Sequence, residues 1–255
     1  MIAVPYHNAY HAADTTNAIW VLMSSVNDLK LTGIELFAGF ISAMFHDVGH
    51  EGVNNNYLIH TRDKLALTYN DSHVLENMHL ATAFEVARSP ECDFFETMGD
   101  GEYKAVRKLC IGIVLATDLA VHFDTLSALK SDVKNSSLSN QTVLKTCMKM
   151  ADLSHGSKGF SAHEDWSLRI CKEFYNQGDA EKEAGMKVIA LFDRALEKDL
   201  PKNQVGFLKY LVEPLFNTVK TVFMEELMGE ILGNIESNSA EWSRQAEKKE
   251  EGEDK

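Results

Sequence analysis

The sequence is poor in the residues that cross-link a chain or anchor it in a membrane. It contains four cysteines in 255 residues, none in a CxxC pair, which argues against a zinc ribbon and a disulfide framework. No segment reaches the run of about 18 apolar residues that spans a membrane. The N-terminus lacks the basic flank and apolar stretch of a signal peptide. We therefore expect an intracellular, cytoplasmic protein with no membrane segment.

Positive charge is scarce as well. The chain has 25 Lys and Arg against 38 Asp and Glu, for a formal net charge of −13. Proteins that follow a nucleic-acid backbone need clustered Lys and Arg, so we expect no nucleic-acid partner. A small anionic substrate remains compatible with this charge, because a bound metal ion can supply local positive charge.

Only four prolines interrupt the chain, and strand-like alternation is almost absent. Apolar residues continue all round residues 36–45, which predicts a buried helix. Residues 205–231 repeat apolar positions at three- and four-residue steps, which predicts one long helix kinked at Pro214, with Pro201 near its start. Residues 51–56 and 154–162 are predicted as ordered loops. The sequence therefore predicts an all-α fold.

Three short segments carry residues that suit a metal ion. His7 and His11 are four apart, His46 and Asp47 end an apolar stretch, and Asp152 follows another. Imidazole and carboxylate groups are ligands of zinc and other divalent cations. Taken alone, each segment has an ordinary explanation as surface histidines, a polar helix end or a helix cap. Together they follow the ligand order of the HD-type metal-dependent phosphohydrolases.

Longer segments give a closer match. In chain order they are YHNAYHAAD at 6–14, FHDVGHEGVNN at 45–55, YNDSHVLENMHLA at 69–81, ATDLAVHF at 116–123, MADLSH at 150–155 and LPKNQVGFLKYLVEPLF at 200–216. From Tyr6 to Trp242 the chain resembles the catalytic domains of class I cyclic-nucleotide phosphodiesterases.

The resemblance implies a compact all-α multi-helix bundle with the metal site in a central pocket. Residues 1–243 would form the catalytic domain, with the N-terminal helices of the family fold missing, and residues 244–255 a disordered charged tail. The implied reaction converts a 3′,5′-cyclic nucleotide, cAMP and/or cGMP, to the nucleoside 5′-monophosphate by a metal-bridged hydroxide, ending cyclic-nucleotide signalling. Two divalent ions, Zn²⁺ and Mg²⁺ with Mn²⁺ as an alternative, are the implied cofactors.

The resemblance also assigns residues. The residues expected to hold the zinc ion are His11, His46, Asp47 and Asp152, with Asp47 bridging to the second ion. Those expected around metal-bound waters are His50, Glu76, His79 and Thr117. His7 matches the general acid that protonates the leaving 3′ oxygen. Glu76 would orient either His7 or a water, and the sequence does not choose between the two.

The residues expected to bind the base are Gln204, Phe207 and His155. His155 stands where several relatives carry asparagine, so the choice between cAMP and cGMP stays open. Two other functions remain compatible with the motifs: an HD-type hydrolase of a nucleoside triphosphate or nucleotide alarmone, and an inactive relative that binds a nucleotide or a partner. An upstream regulatory domain or a dimer partner is a further expectation.

Overall fold

The structure is a computed structural model that describes residues 4–27 and 30–253. It is 74% helical and has no β-strand among these residues, which confirms the predicted all-α class. The chain forms two compact units. The N-terminal unit comprises the described residues of 7–50 and 54–152, and the C-terminal unit those of 4–6, 51–53 and 153–253.

The described part of the N-terminal unit contains eight α-helices and a 3₁₀ turn at Leu119–Val121. The α-helices are α1 (Ala9–Ser24), α2 (Gly33–Phe45), α3 (Asn55–His60), α4 (Lys64–Tyr69), α5 (Val74–Val86), α6 (Asp100–Leu115), α7 (His122–Lys134) and α8 (Asn140–Asp152). Helix α2 packs against α1, α6 and α8, so it lies at the centre of this unit.

Helix α2 begins at a capping box. The Thr32 hydroxyl accepts from the backbone N–H of Glu35, whose side chain accepts from the backbone N–H of Thr32. One face of the helix is buried, but Phe40 and Met44 are 37% and 55% exposed. The prediction that residues 36–45 are buried all round was therefore wrong for this face.

The C-terminal unit contains four α-helices, joined partly by single turns of other helix types. They are α9 (Phe160–Glu183), α10 (Leu200–Phe207), α11 (Glu213–Thr218) and α12 (Glu225–Glu253). Helix α12 packs against α9, α10 and α11.

The single long helix predicted over residues 205–231 was wrong. Helix α10 begins with Pro201 in its first turn, as expected, and then passes into a π-helical turn over Leu208–Val212. This wide turn directly precedes α11, where Pro214 has no N–H to donate to the preceding turn. The chain leaves the helix after Thr218 and starts α12 only at Glu225.

Both predicted loops contain more helix than expected. Residues 154–157 form a 3₁₀ turn and α9 begins at Phe160. The side-chain amide of Asn238 donates to the carbonyl oxygens of Gly156 and Lys158 at 3.0 and 2.8 Å, which holds this turn against α12. In the other loop, Asn54 caps α3 by accepting from the backbone N–H of Tyr57.

Helix α12 crosses the boundary predicted between residues 243 and 244. Residues 244–253 are helical, where a disordered tail was expected, and residues 254–255 lie outside the described part. Glu241 accepts hydrogen bonds from Arg244 and Gln245, and such three- and four-residue pairs stabilise a helix.

Among the described residues, no single helix is long and apolar enough to cross a membrane. One bent pair of helices, Asp100–Leu115 with Leu119–Lys134, is long and apolar enough by length and composition only.

Candidate active site

The four residues predicted as zinc ligands come together in the N-terminal unit. His11 lies on α1, His46 and Asp47 follow α2, and Asp152 ends α8. Their donor atoms all lie within 4.8 Å of one another. The distance from His11 Nε2 to Asp152 Oδ1 is 3.0 Å, and that from His46 Nε2 to Asp47 Oδ2 is also 3.0 Å.

The end of α2 orients the His46 ring. Its Nδ1–H donates to the carbonyl oxygen of Ala43 at 2.9 Å, so in the neutral ring Nε2 carries the lone pair that points into the cluster. The chain then turns at Gly49, whose φ of +77° lies in the left-handed region that favours glycine. This turn directs the chain from Asp47 back to His50.

The donor set fits a divalent cation. Asp47 Oδ2 is buried and has no hydrogen-bond partner among the described residues, although two ring nitrogens lie within 3.4 Å. His11 Nε2 and His46 Nε2 are 3.2 Å apart, too close for two N–H groups that face each other. Two imidazole nitrogens and two carboxylates around one point match the ligand chemistry of zinc and similar ions.

The electrostatics of the cluster support the same assignment. Burial is the largest single influence on Asp47 and opposes its charge, but the charge of His46 and the hydrogen bonds from His11 and His46 together hold its pKa well below the usual value. Burial also opposes charge on Asp152, and the hydrogen bonds and positive charges of His11 and His46 together lower its pKa. Against burial, Asp47 in turn raises the pKa of His46 well above the ordinary value. The carboxylates therefore need positive charge beside them, which either ring protons or a cation can supply.

A row of stacked imidazoles lies beside the four ligands. The His7 ring stacks on His50 with centroids 4.0 Å apart, and His50 stacks on His79 at 5.6 Å. The Nδ1–H of His79 donates to the carbonyl oxygen of Val48 at 2.8 Å. His7 lies before the helix that carries His11, because Asn8 caps α1 and the helix starts at Ala9.

Glu76 lies in a polar cluster that sequence reasoning did not recognise. The Asn55 amide donates to its carboxylate at 3.0 Å, and His73 Nδ1 lies 2.7 Å from Asp118 Oδ2. Burial, and then repulsion by Asp118, raise the pKa of Glu76 to about 7. Asn55 and Asp118 lie inside segments that carried the family resemblance. Their place in these segments is the sequence signal that could have identified them as site residues.

Thr117 lies just after α6, and Lys149, which the sequence did not predict as a site residue, contacts the backbone beside it. The Thr117 hydroxyl donates to the carbonyl oxygen of Val114 at 2.8 Å. The buried ammonium of Lys149 donates to the carbonyl oxygen of Ala116, also at 2.8 Å. This contact fixes the backbone on which Thr117 and Asp118 stand.

The three residues predicted to bind the base lie in the C-terminal unit. The rings of His155 and Phe207 are stacked, with centroids 5.0 Å apart and planes 8° apart. Gln204 is buried, and its Oε1 lies 2.9 Å from the Ser167 hydroxyl, which is also 2.8 Å from the carbonyl oxygen of His163. A hydroxyl has one proton and cannot donate to both acceptors at once, so this contact leaves the Gln204 amide able to reverse.

Residues 6–235 match the family model described as 3′5′-cyclic nucleotide phosphodiesterase. The chain belongs to this family. Members of the phosphodiesterase family depend on divalent metal ions.

Curated phosphodiesterases are similar along most of the chain. It is 34% identical over 252 residues to the 3′,5′-cyclic-AMP phosphodiesterase 4C of Mus musculus. It is 36% identical over 250 residues to the probable 3′,5′-cyclic-AMP phosphodiesterase pde-4 of Caenorhabditis elegans. These matches cover 94% and 93% of this chain but 36% and 37% of the relatives, so the chain spans little more than a third of their length.

Solved phosphodiesterase domains have the same fold. The phosphodiesterase domain of the RhoPDE fusion protein from the choanoflagellate Salpingoeca rosetta aligns with a TM-score of 0.91 and 31% identity, covering 97% of this chain and 80% of that one. A second structure of the phosphodiesterase domain of the rhodopsin phosphodiesterase from the same organism aligns with a TM-score of 0.92, 31% identity and coverages of 98% and 78%. The predicted family is therefore confirmed.

Proposed function

We propose that this chain hydrolyses a 3′,5′-cyclic nucleotide, cAMP, cGMP or both, to the nucleoside 5′-monophosphate. Zinc would be held by His11, His46, Asp47 and Asp152, and magnesium, or manganese in its place, would share Asp47. The convergence of these four donors, one of them a buried carboxylate oxygen without a hydrogen bond from any described residue, carries the proposal. Membership of the phosphodiesterase family supports it.

The bound ions would polarise the phosphoryl group and lower the pKa of water at the site. The protein's part is to orient groups around them. His79, held by the Val48 carbonyl oxygen, and Thr117, held by that of Val114, would keep fixed positions for waters. Glu76, with its carboxylate bonded to Asn55, would add an acceptor in the same region.

His7 is proposed to protonate the leaving 3′ oxygen. Imidazole gains and loses a proton near neutral pH, which suits a general acid. The stacked His50 ring holds His7 in place at 4.0 Å. Burial lowers the pKa of His50 well below the ordinary value, so His50 is a poor proton carrier near neutral pH.

Gln204 and Phe207 are proposed to bind the purine. The Phe207 ring offers a flat face for the base, and the Gln204 amide offers a donor and an acceptor to its edge. Because the Ser167 contact does not fix the amide orientation, both adenine and guanine are compatible with Gln204. The named relatives are cyclic-AMP phosphodiesterases, which favours cAMP as the first substrate to assay.

The test is hydrolysis of cAMP and cGMP before and after chelation, with zinc and magnesium then restored. Turnover should disappear with the chelator and return with the metals. Asp47→Asn should lower turnover by roughly a hundredfold or more, because both ions lose a ligand. Asp63→Asn is the matched control, since Asp63 only caps α4 and asparagine caps helices equally well.

Turnover that survives chelation, or normal turnover by Asp47→Asn, would contradict the metal site. Binding of a cyclic nucleotide without hydrolysis by the metal-loaded protein would favour the inactive relative. Hydrolysis of a nucleoside triphosphate but not of a cyclic nucleotide would favour the alternative function as an HD-type triphosphate hydrolase.

A further inference from the structure

Trp242, His163 and His155 in the C-terminal unit are linked by hydrogen bonds between their side chains. Trp242 Nε1–H donates to His163 Nε2 at 2.8 Å, and His163 Nδ1 lies 3.1 Å from His155 Nδ1. All three side chains are buried. The family-model match ends at residue 235, so it does not include Trp242.

The first donor fixes every proton along this chain. An indole nitrogen can only donate, so His163 Nε2 must carry a lone pair. A neutral His163 then has its proton on Nδ1, which donates to His155. His155 Nδ1 must accept, so the His155 ring is neutral and carries its proton on Nε2.

Burial also favours the neutral form of His163, since it lowers the pKa of this ring to about 4 and keeps it uncharged near pH 7. Protonation of either histidine would place two N–H groups against each other or against the indole. The arrangement therefore excludes the cationic form of both rings while it is intact.

His155 lies next to a residue that the proposed function assigns to purine binding. Its ring stacks on Phe207, which the proposed function assigns to the purine. Guanine presents two acceptors, N7 and O6, on the edge where adenine presents N7 and the donor N6 amino group. A fixed N–H can pair with either acceptor of guanine but only with N7 of adenine, because it has no lone pair to offer to the amino group.

Resting on the proposed function, we propose that Trp242 and His163 are positioning residues that hold His155 as a hydrogen-bond donor to the purine edge. With this fixed donor the site takes the 6-oxopurine cGMP, which presents two acceptors at that edge, at least as well as cAMP, which presents one.

The proton positions can be measured directly on the whole chain labelled with ¹⁵N-histidine. The ring-nitrogen spectrum should show His163 protonated on Nδ1 and His155 protonated on Nε2. In Trp242→Phe, which keeps a ring but removes the N–H, both histidines should become tautomeric mixtures. Addition of cGMP should shift the His155 Nε2 signal of the unmutated protein more than addition of cAMP does.

Kinetics then test the role in selection. In Trp242→Phe and His163→Leu, kcat/KM for cGMP relative to cAMP should fall by up to roughly tenfold, the order expected for one hydrogen bond, and mainly through KM. His163→Gln should keep the ratio, because its amide can accept from Trp242 and donate to His155. In a His155→Asn background, Trp242→Phe should not change the ratio, since the asparagine amide offers both donor and acceptor.

A His155 proton on Nδ1, or a tautomer unaffected by Trp242→Phe, would overturn the proposal. So would a cGMP to cAMP ratio that falls equally in His163→Leu and His163→Gln. If neither nucleotide is hydrolysed, the proposed function fails, but the ring spectra and the nucleotide-induced shifts still decide whether His155 is a fixed donor. If Trp242→Phe does not fold, the His163 pair supplies the same comparison.

Discussion

At the scale of single residues, the N-terminal unit contains a histidine that its fold leaves unsatisfied. His122, the first residue of α7, is fully buried, and neither ring nitrogen has a hydrogen-bond partner among the described residues. A buried polar group without a partner costs free energy, and a charged one costs more. The nearby ammonium of Lys149 adds to the cost of a charged ring.

This histidine predicts a loss of stability in acid. Burial, and then Lys149, lower the pKa of His122 in the folded protein to about 4 from the ordinary 6.5. Between these two values the unfolded chain binds more protons, so the free energy of unfolding should fall as the pH falls from 6.5 to 4. At about 1.4 kcal/mol per pKa unit, the loss from this residue is at most on the order of 3 kcal/mol.

Urea unfolding at pH 7 and pH 4.5 measures the effect. His122→Phe fills the same space without a titrating group and should reduce the difference between the two pH values. His60→Gln, a change at an exposed histidine of α3, should keep the full difference. An equal pH dependence in His122→Phe and the unmodified chain would show that His122 does not contribute.

Residues inside long matched segments were the predictable part of the site. His11, His46, Asp47 and Asp152 stand at the ligand positions of a recognised motif, and the structure brings them together. His163 and Trp242 were not predicted. They pair with each other, but they lie on different helices and are 79 residues apart along the chain. A lone buried histidine or tryptophan is ordinarily part of a core, and only the donor–acceptor geometry distinguishes these two.

At the scale of secondary-structure elements, close packing rather than periodicity decides what the sequence tolerates. Gly178 on α9 faces the 3₁₀ turn Ala190–Phe192, and a Cβ built on it would lie 1.9 Å from the carbonyl oxygen of Phe192. That atom belongs to the backbone and cannot rotate away. Helix α9 therefore needs glycine here for a close approach, although glycine is a weak helix former.

Gly178→Ala should destabilise the protein by roughly 1–3 kcal/mol, the usual range for overpacking. Gly229→Ala on α12 is the matched control, since a Cβ there meets no described atom within 4 Å. Alanine at this exposed helical position should be neutral or stabilise the fold by up to about 1 kcal/mol. Chemical denaturation of both variants gives the comparison, and equal stabilities would contradict the close approach.

The helical class and the break near Pro214 were predictable from composition and spacing. The second break, over residues 219–224, was not, because Val219 and Val222 continue the apolar spacing of a helix through it. Val219 and Phe223 are buried in the turn itself. Apolar periodicity reports burial, and a buried turn satisfies the same pattern as a helix.

At the scale of the whole molecule, a strongly acidic chain carries an open apolar surface. A cleft of about 1020 Å³ in the N-terminal unit has His7, Asp47 and His50 in its wall, and also Trp20, Phe40 and Met44. Sequence patterning assigned Phe40 and Met44 to the core, because it registers the apolar face of a helix without showing what covers it. One cleft thus joins polar groups of the candidate active site to exposed apolar side chains.

This surface predicts binding of a hydrophobic dye such as ANS by the folded protein. Met44→Lys places a charge among the apolar side chains of the cleft, so dye fluorescence should fall while the melting temperature stays nearly unchanged, because Met44 is 55% exposed. Leu67→Lys is the matched control, since Leu67 is 69% exposed on α4 and does not line the cleft. Equal fluorescence from both variants would place the dye elsewhere. A fall confined to Met44→Lys, together with competition between dye and cyclic nucleotide, would show that the apolar wall and the polar residues around His7 form one ligand-accessible space.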